Sequence, residues 1–340
     1  MLASSKYITF DDVLIEPKFS VITSRKNVNI STTIGSLKLE MPIMAANMDT
    51  IFSEDLAIAL AKAGGCAVVH RFCSIDDNVK ICKRLQEDGG PVIASIGISE
   101  KEYQRAAALI ESGVNYLCID VAHGAQMSVV EHYNKLIQNF GSKVEIIVGN
   151  FATGESIQRF REFCLQEPMA FKIGIGGGSA CLTRVQTGCG VPQLSAILDC
   201  AKINPNTNLI SDGAHRNPGD IAKALGAGAK AVMLGFMFAG TKESPGEIID
   251  NKFKKYRGSA SLESYKIQGK EAAWRTFEGD SFLVPLKGPI ENVVQNISGG
   301  LRSALTYVGA SDLTEFREHA TLIKVSSNSY NENSSHGKTI

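Results

Sequence analysis

The chain has 340 residues, 44% of them hydrophobic and 21% charged, with 35 Lys and Arg balancing 35 Asp and Glu. Its basic residues are dispersed, so it offers no electrostatic footprint for nucleic acid, although a small anion remains a possible ligand. No apolar stretch reaches the roughly 18 to 20 residues of a membrane-spanning helix. The start, MLASSKYITFDD, lacks the basic-then-apolar order of a secretory signal, so a cytoplasmic protein is expected.

In chain order, residues 1–40 precede eight short apolar, β-branched runs starting near Pro42, Cys66, Pro91, Asn115, Val144, Ala170, Asn208 and Ala231. Apolar residues fill both alternation phases of each run, as expected of parallel strands covered on both faces. Between them, SEDLAIALAKAGG, EKEYQRAAALIESG and PGDIAKALGAGA carry apolar residues at helical spacing, open on Ser, Glu or Pro and stop at glycine. Strict alternation over eight units predicts an α/β fold, a (β/α)8 TIM barrel, with a doubly wound sheet as the alternative. Residues 1–325 read as a single barrel domain with an N-terminal extension and a C-terminal flap segment over 241–325. The polar, low-complexity stretch 326–340 is expected to be disordered.

The interval between AFKIGIG and NLISDG is longer than the others, and the excess is GIGGGSACLTRVQTGCGVPQ. Added loop length after a barrel strand points to the active-site mouth. The run holds Cys181, one of eight cysteines (66, 73, 82, 118, 164, 181, 189, 200) that lack zinc-type spacing and read mostly as small buried hydrophobes. On residue type alone Cys181 is either a nucleophile, activated by a nearby base or by Gly-rich backbone N–H groups, or a structural thiol. Thr183 lies two residues on. GIGGGS fails as a dinucleotide fingerprint: Gly174 and Gly176 fit, but Ser179 stands where the third glycine belongs.

Ser179 and the turns after strands seven and eight, SDGAHRNPGD and MLGFMFAG, are better phosphate candidates, because those loops of a barrel commonly bind phosphate. Asp212 could accept hydrogen bonds from a ribose. At the end of the fourth run stand Asp120 and His123, and at the end of the second His70 and Arg71. A carboxylate at such a position is more often functional than structural, since burying it unpaired is costly.

Together TFDDVLIEP, AANMDT, IDVAHG, KIGIGGGSACLTR with TGCGVPQ, DGAHRNPGDIAKALGAGAKAVMLG and GGLRSALTYVGA resemble the family of IMP dehydrogenase and GMP reductase. The chain is similar to the reductase branch in three respects: it has no room for paired regulatory CBS modules between CAVVHRF and PVIASIGI, its segment GKEAAWRTFEGDSFLVPLKGPIENV lacks the Arg-Tyr flap pair, and it ends in GGLRSALTYVGA.

The resemblance implies an NADPH-dependent reductive deamination of GMP, or a closely related purine nucleotide, to IMP and ammonia through a covalent adduct of Cys181. Thr183 and Glu278 would protonate the departing nitrogen. Ser179, Asp212, Gly213, Ala214, Gly235 and Phe236, with Gly258, Ser259 and Ala260, would bind the nucleotide. Arg71, Asp120, Val121 and Ala122 would face the cofactor. Ser24 and Arg25 would reach it from a neighbouring subunit, so a homotetramer is implied, and Arg275 with Ser303, Ala304, Leu305 and Thr306 would join them. An Arg suits a 2′-phosphate because its planar donors match phosphate oxygens. Carbonyls of Gly176, Gly178 and Cys181 would hold a monovalent cation, K+.

Departures from the family pattern cluster around the nucleotide: Gly177, Leu182, Ala214, Phe236 and Ser259. They imply either a phosphate held differently, by Ser179, His215 and Arg216, or an altered substrate. Two other readings stand beside the first: an IMP dehydrogenase without CBS modules, oxidising IMP to XMP with NAD, and a purine-nucleotide binder with altered or no turnover.

Overall fold

In the computed structural model, residues 7–267, 276–326 and 329–332 are described. Eight parallel strands close into a barrel: β1 (Ile43–Ala45), β2 (Cys66–Val69), β3 (Ile93–Ile96), β4 (Tyr116–Asp120), β5 (Glu145–Phe151), β6 (Ala170–Ile173), β7 (Leu209–Asp212) and β8 (Ala231–Leu234). β8 pairs back onto β1 through Val232↔Ile43 and Leu234↔Ala45, which closes the ring. The eight predicted runs are these eight strands, and the doubly wound alternative is excluded by the closure.

Six of the strands are buried at all or nearly all positions, because side chains alternate between the barrel interior and the helical layer outside and both environments are apolar. The interior is packed with Met44, Cys66, Val68, Ile93, Cys118, Ile147, Ile210 and Met233. Outside, Leu56, Leu60, Leu109, Leu136, Ile157 and Leu225 pack helices on strands. The helices Glu54–Lys62, Ile75–Glu87, Glu100–Glu111, Gly154–Phe163 and Pro218–Gly226 each begin beside a capping side chain, Ser53, Ser74, Ser99, Thr153 and Asn217. Each cap accepts a backbone N–H of the first turn, which would otherwise lack a partner.

One end of the barrel is shut. The hairpin Thr32–Ile34 and Leu37–Leu39 places Ile34, Leu37 and Leu39 in the interior cluster. Its turn is held at the strand N-termini, where Ser36 Oγ lies 2.9 Å from Tyr116 Oη and the Ser36 N–H donates to Glu145. Only the C-terminal mouth is left for a ligand. Over it stands an antiparallel sheet of Ile248–Ile249, Phe253–Arg257 and Ser281–Pro285. The two ends of the chain meet in the pair Val13–Ile15 and Leu322–Lys324.

Two expectations are revised. Among the cysteines only four, Cys66, Cys82, Cys118 and Cys200, are buried; Cys73, Cys164 and Cys181 are half-buried and Cys189 is exposed. In the tail, Ser329–Glu332 forms one helical turn where no element was predicted, and most of the remainder lies outside the described residues. No helix among the described residues is long and apolar enough to cross a membrane.

Candidate active site

The loop after β6 leaves the barrel through Gly174 and Gly176, both at positive φ, and returns through Thr183–Thr187 and Gln193–Ile203. It is pinned from below by Arg184, whose guanidinium donates to the carbonyls of Ile175 (3.2 Å) and Val191 (2.5 Å). Across it lies the turn after β7. A Cβ on Gly213 would stand 3.0 Å from the Gly178 nitrogen, so only glycine, itself at φ +91°, lets the two loops touch.

At the tip, Cys181 Sγ donates to Thr183 Oγ1 (3.1 Å), and Thr183 Oγ1 donates to Glu278 Oε2 (2.7 Å). Glu278 arrives from the far flank, 95 residues away. Its backbone is stitched to the cysteine loop: Leu182 N–H donates to the Glu278 carbonyl (2.7 Å) and Asp280 N–H to the Ala180 carbonyl (2.8 Å). The three residues thus form a continuous thiol–hydroxyl–carboxylate chain.

They open onto a cleft of about 430 Å³ at the barrel mouth, whose wall includes Met48, Arg71, Asp120, Val121, Ala122, Asn150, Lys172, Asp212, Gly213, Tyr256, Gly258, Ser259 and Ala260. Sequence reasoning singled out most of these, but missed Met48, Asn150, Tyr256 and Lys172. For Lys172 a signal existed: it is the single charge inside the apolar strand AFKI. A lysine buried there needs anionic partners, and it has two. Its ammonium donates to Asp120 Oδ1 and Asp212 Oδ2, each at 2.7 Å, and to Asn150 Oδ1.

Burial alone would raise the Asp120 pKa and lower that of Lys172, but the opposite charge wins in both cases. Asp120 is held down to about 2 by Lys172, Arg71 and the Asn47 amide, and Lys172 is held protonated well above its usual range by Asp120 and Asp212. The carboxylate is therefore paired, which removes the premise of an unpaired buried acid. Arg71 donates to the Asp120 carbonyl (3.4 Å), and its buried Nε has no acceptor among the described residues.

Other expected residues border the wall or lie behind it. Ser179 is exposed between Gly178 and Ala180 of the wall, Ala214 adjoins Gly177, and Gly235 adjoins Tyr256 and Met48. Phe236 packs its ring on Tyr256 (5.9 Å) and Phe282 (6.2 Å), with the Lys287 ammonium 4.8 Å above it. His215 and Arg216 do not reach the cleft as expected. His215 is buried beneath β7, its Nε2 3.0 Å from Ser211 Oγ, and Arg216 is engaged by Asp11 and Asp220. The half-buried His70 places Nδ1 against its neighbour Phe72 N–H, and His123 is exposed; neither is in the wall.

Ser24 caps the short helix Arg25–Asn27 on the surface, away from this chain's own cleft. On the helix Ile290–Val308, Ser303, Ala304 and Thr306 are at least partly exposed, whereas the side chain of Leu305 is fully buried and packs in the core. Arg275 lies outside the described residues. No cluster of three His, Cys, Asp or Glu side chains able to hold a metal ion occurs among the described residues.

Fold and site together define a (β/α)8 barrel enzyme, with its polar groups gathered at the C-terminal mouth. A family model described as the IMP dehydrogenase / GMP reductase domain matches residues 7–336. A GMP reductase of Buchnera aphidicola is 40% identical over 93% of both chains, and one of Photobacterium profundum 38% identical over 97% of both. Among solved structures, a GMP reductase variant from Trypanosoma brucei in complex with guanosine 5′-monophosphate superposes with a TM-score of 0.90, at 26% identity over 99% of each chain. The chain belongs to the IMP dehydrogenase / GMP reductase family.

Proposed function

We propose that this chain is a GMP reductase, converting GMP to IMP and ammonia at the expense of NADPH. The observation that carries the chemistry is the chain from Cys181 Sγ through Thr183 Oγ1 to Glu278 Oε2. A thiol must lose its proton to attack, and a leaving amine must gain one. In this reading the proton of Cys181 passes through Thr183 to Glu278 as sulfur bonds to C2 of the purine. The same path returns a proton to the departing nitrogen, and the C2–N bond breaks. NADPH, when bound, supplies the hydride to C2, and the C2–S bond then opens to free IMP and the thiolate.

The nucleotide would be held by Asp212 on its ribose, by the touching turns at Gly178 and Gly213, and by Gly258, Ser259 and Ala260 around the base. Arg71, whose Nε has no partner among the described residues, and Asp120, Val121 and Ala122 suit the nicotinamide side of the same cleft. Ser24 and Arg25 would meet the adenosine end of a cofactor bound to a neighbouring subunit. The 94% exposed Phe19 and 79% exposed Val21 beside them suit a surface covered by a neighbouring subunit, as in the homotetramer that the family resemblance implies. Carbonyls of Gly176, Gly178 and Cys181 suit a hard monovalent cation such as K+, which would stiffen the loop. The whole of residues 1–325 is read as one catalytic unit without a CBS insertion.

The test supplies the protein with GMP and NADPH. Oxidation of NADPH with release of ammonia is expected. Formation of NADH from IMP and NAD would instead establish a dehydrogenase, and binding of GMP without either reaction a nucleotide binder. Cys181→Ala is expected to abolish turnover while keeping GMP affinity, and near-normal rates in that variant would refute the covalent route.

A further inference from the structure

Lys172 is used by none of the steps above, yet it stands at the centre of the cleft wall. It is 2% exposed, and its three ammonium protons are spent on three acceptors from three different strands: Asp120 at the end of β4, Asn150 in β5 and Asp212 at the end of β7. Asn150 closes the ring, donating to Asp212 Oδ2 (2.9 Å) and to the Gly174 carbonyl (2.6 Å) at the root of the cysteine loop. Asn47 donates to the second oxygen of Asp120 (2.9 Å). Each carboxylate therefore has its orientation fixed by the same ammonium, and each also faces the cleft.

We propose that Lys172 is a positioning residue that locks Asp120 and Asp212 into one rigid unit, so that the nucleotide-side and cofactor-side carboxylates of the cleft are aligned together. The proposal deepens the reductase reading and rests on it for the names of the two sides. Physically, two carboxylates sharing a buried site cannot both remain charged without a cation between them. Lys172 supplies that cation, while its rigid strand sets the spacing. A displacement of Asp212 when a ribose binds is passed to Asp120 through a single nitrogen, with the Gly174 carbonyl on the same network.

The charged and titratable groups that face the triad are Arg71 from the end of β2, Cys118 from β4, His215 from the turn after β7 and Tyr256 from the sheet above. Burial pushes the thiol of Cys118 up to about 12 and raises Tyr256, while it lowers His215 to about 4, so all three are neutral around pH 7. Arg71 contacts the Asp120 carbonyl oxygen rather than its carboxylate. None of them replaces the ammonium.

The experiment follows the aspartate carboxyl carbons by NMR across pH in the wild type and in Lys172→Met, with steady-state kinetics alongside. In the wild type, Asp120 is expected to stay ionised down to low pH. In Lys172→Met, one of the two carboxyls should titrate above about pH 6. The variant's kcat/KM should fall roughly 100-fold at neutral pH through misalignment, and fall further as the pH drops through that new titration. Lys172→Arg keeps the charge and should restore the low titration while recovering only part of the rate. If both carboxyls of Lys172→Met stay ionised below about pH 4, or its rates match the wild type, the proposal is overturned. Should that variant not fold, Lys172→Met with Asp120→Asn removes one of the two uncompensated charges and is expected to recover a folded protein, and a double variant that is no better folded counts against the proposal. The titration needs no turnover, so a wild type inactive with GMP and NADPH would refute the reductase reading and leave this measurement standing.

Discussion

Thr183 and Glu278 are joined by a 2.7 Å hydrogen bond across 95 residues of chain, with the hydroxyl donating to the carboxylate and accepting from Cys181. The bond makes a remote flank part of the loop after β6. If Glu278 is the terminus of the proton path, Glu278→Gln keeps the shape and an acceptor oxygen but can neither take up nor return a proton near neutral pH. Its kcat is expected to fall by roughly 100-fold with little change in KM for GMP, read from steady-state rates.

Glu278 is delivered by Gly279, where a Cβ would lie 2.8 Å from the Ser261 nitrogen and 3.0 Å from the Ala260 carbonyl carbon. Those are backbone atoms and cannot swing aside. Gly279→Ala should push the segment off the Gly258–Ser261 turn, shift Glu278 away from Thr183 and lower kcat by about 10- to 100-fold, while the thermal midpoint moves little, because the barrel core is untouched. A rate close to wild type would show that the segment docks without that contact.

Arg105 is 1% exposed and donates to Glu102 (3.2 Å), Asn78 Oδ1 (2.9 Å) and the Cys73 carbonyl (2.9 Å). Glu102 in turn accepts from Gly97 N–H after β3 (2.8 Å). Removing the guanidinium leaves a buried carboxylate unpaired, so Arg105→Met is expected to cost about 3 to 5 kcal/mol of stability, measured by chemical denaturation.

His215 gives the fold an acid limit. Burial lowers its pKa to about 4, against an ordinary value of 6.5. The unfolded chain therefore binds its proton first as the pH drops. The stabilisation from keeping His215 neutral is complete above about pH 6.5 and is lost as the pH falls toward 4, a difference of about 3 kcal/mol. The thermal midpoint of the wild type should decline across that window, and His215→Gln should flatten the decline; an equally steep slope in the variant would assign the acid sensitivity to other groups.

Much of the architecture was legible because it is written in local chemistry. Eight apolar runs match eight strands to within a few residues, and the long interval after the sixth marks the loop that carries the thiol. Cys181 and Thr183 are neighbours in the chain, so their contact needed only a turn. Asp120, Arg71 and Asp212 were legible as polar residues at strand ends, where a barrel gathers such groups at one mouth. His215 and Arg216 were misplaced for the opposite reason: they follow β7 directly, but whether a loop side chain turns to the cleft or to the chain's own N-terminus depends on Phe10 and Asp11, some two hundred residues away.

The sequence by itself determined the barrel and the family, because strand periodicity and loop motifs are short-range features that survive without knowledge of partners. Only the tertiary structure decided which charges are compensated. Lys172 reads in the chain as one lysine in an apolar strand, but barrel closure sets β4, β5, β6 and β7 side by side and brings Asp120, Asn150 and Asp212 within reach of its nitrogen. Ionisation in a buried site depends on distances of a few ångströms between remote residues, and those distances exist only once the ring is closed.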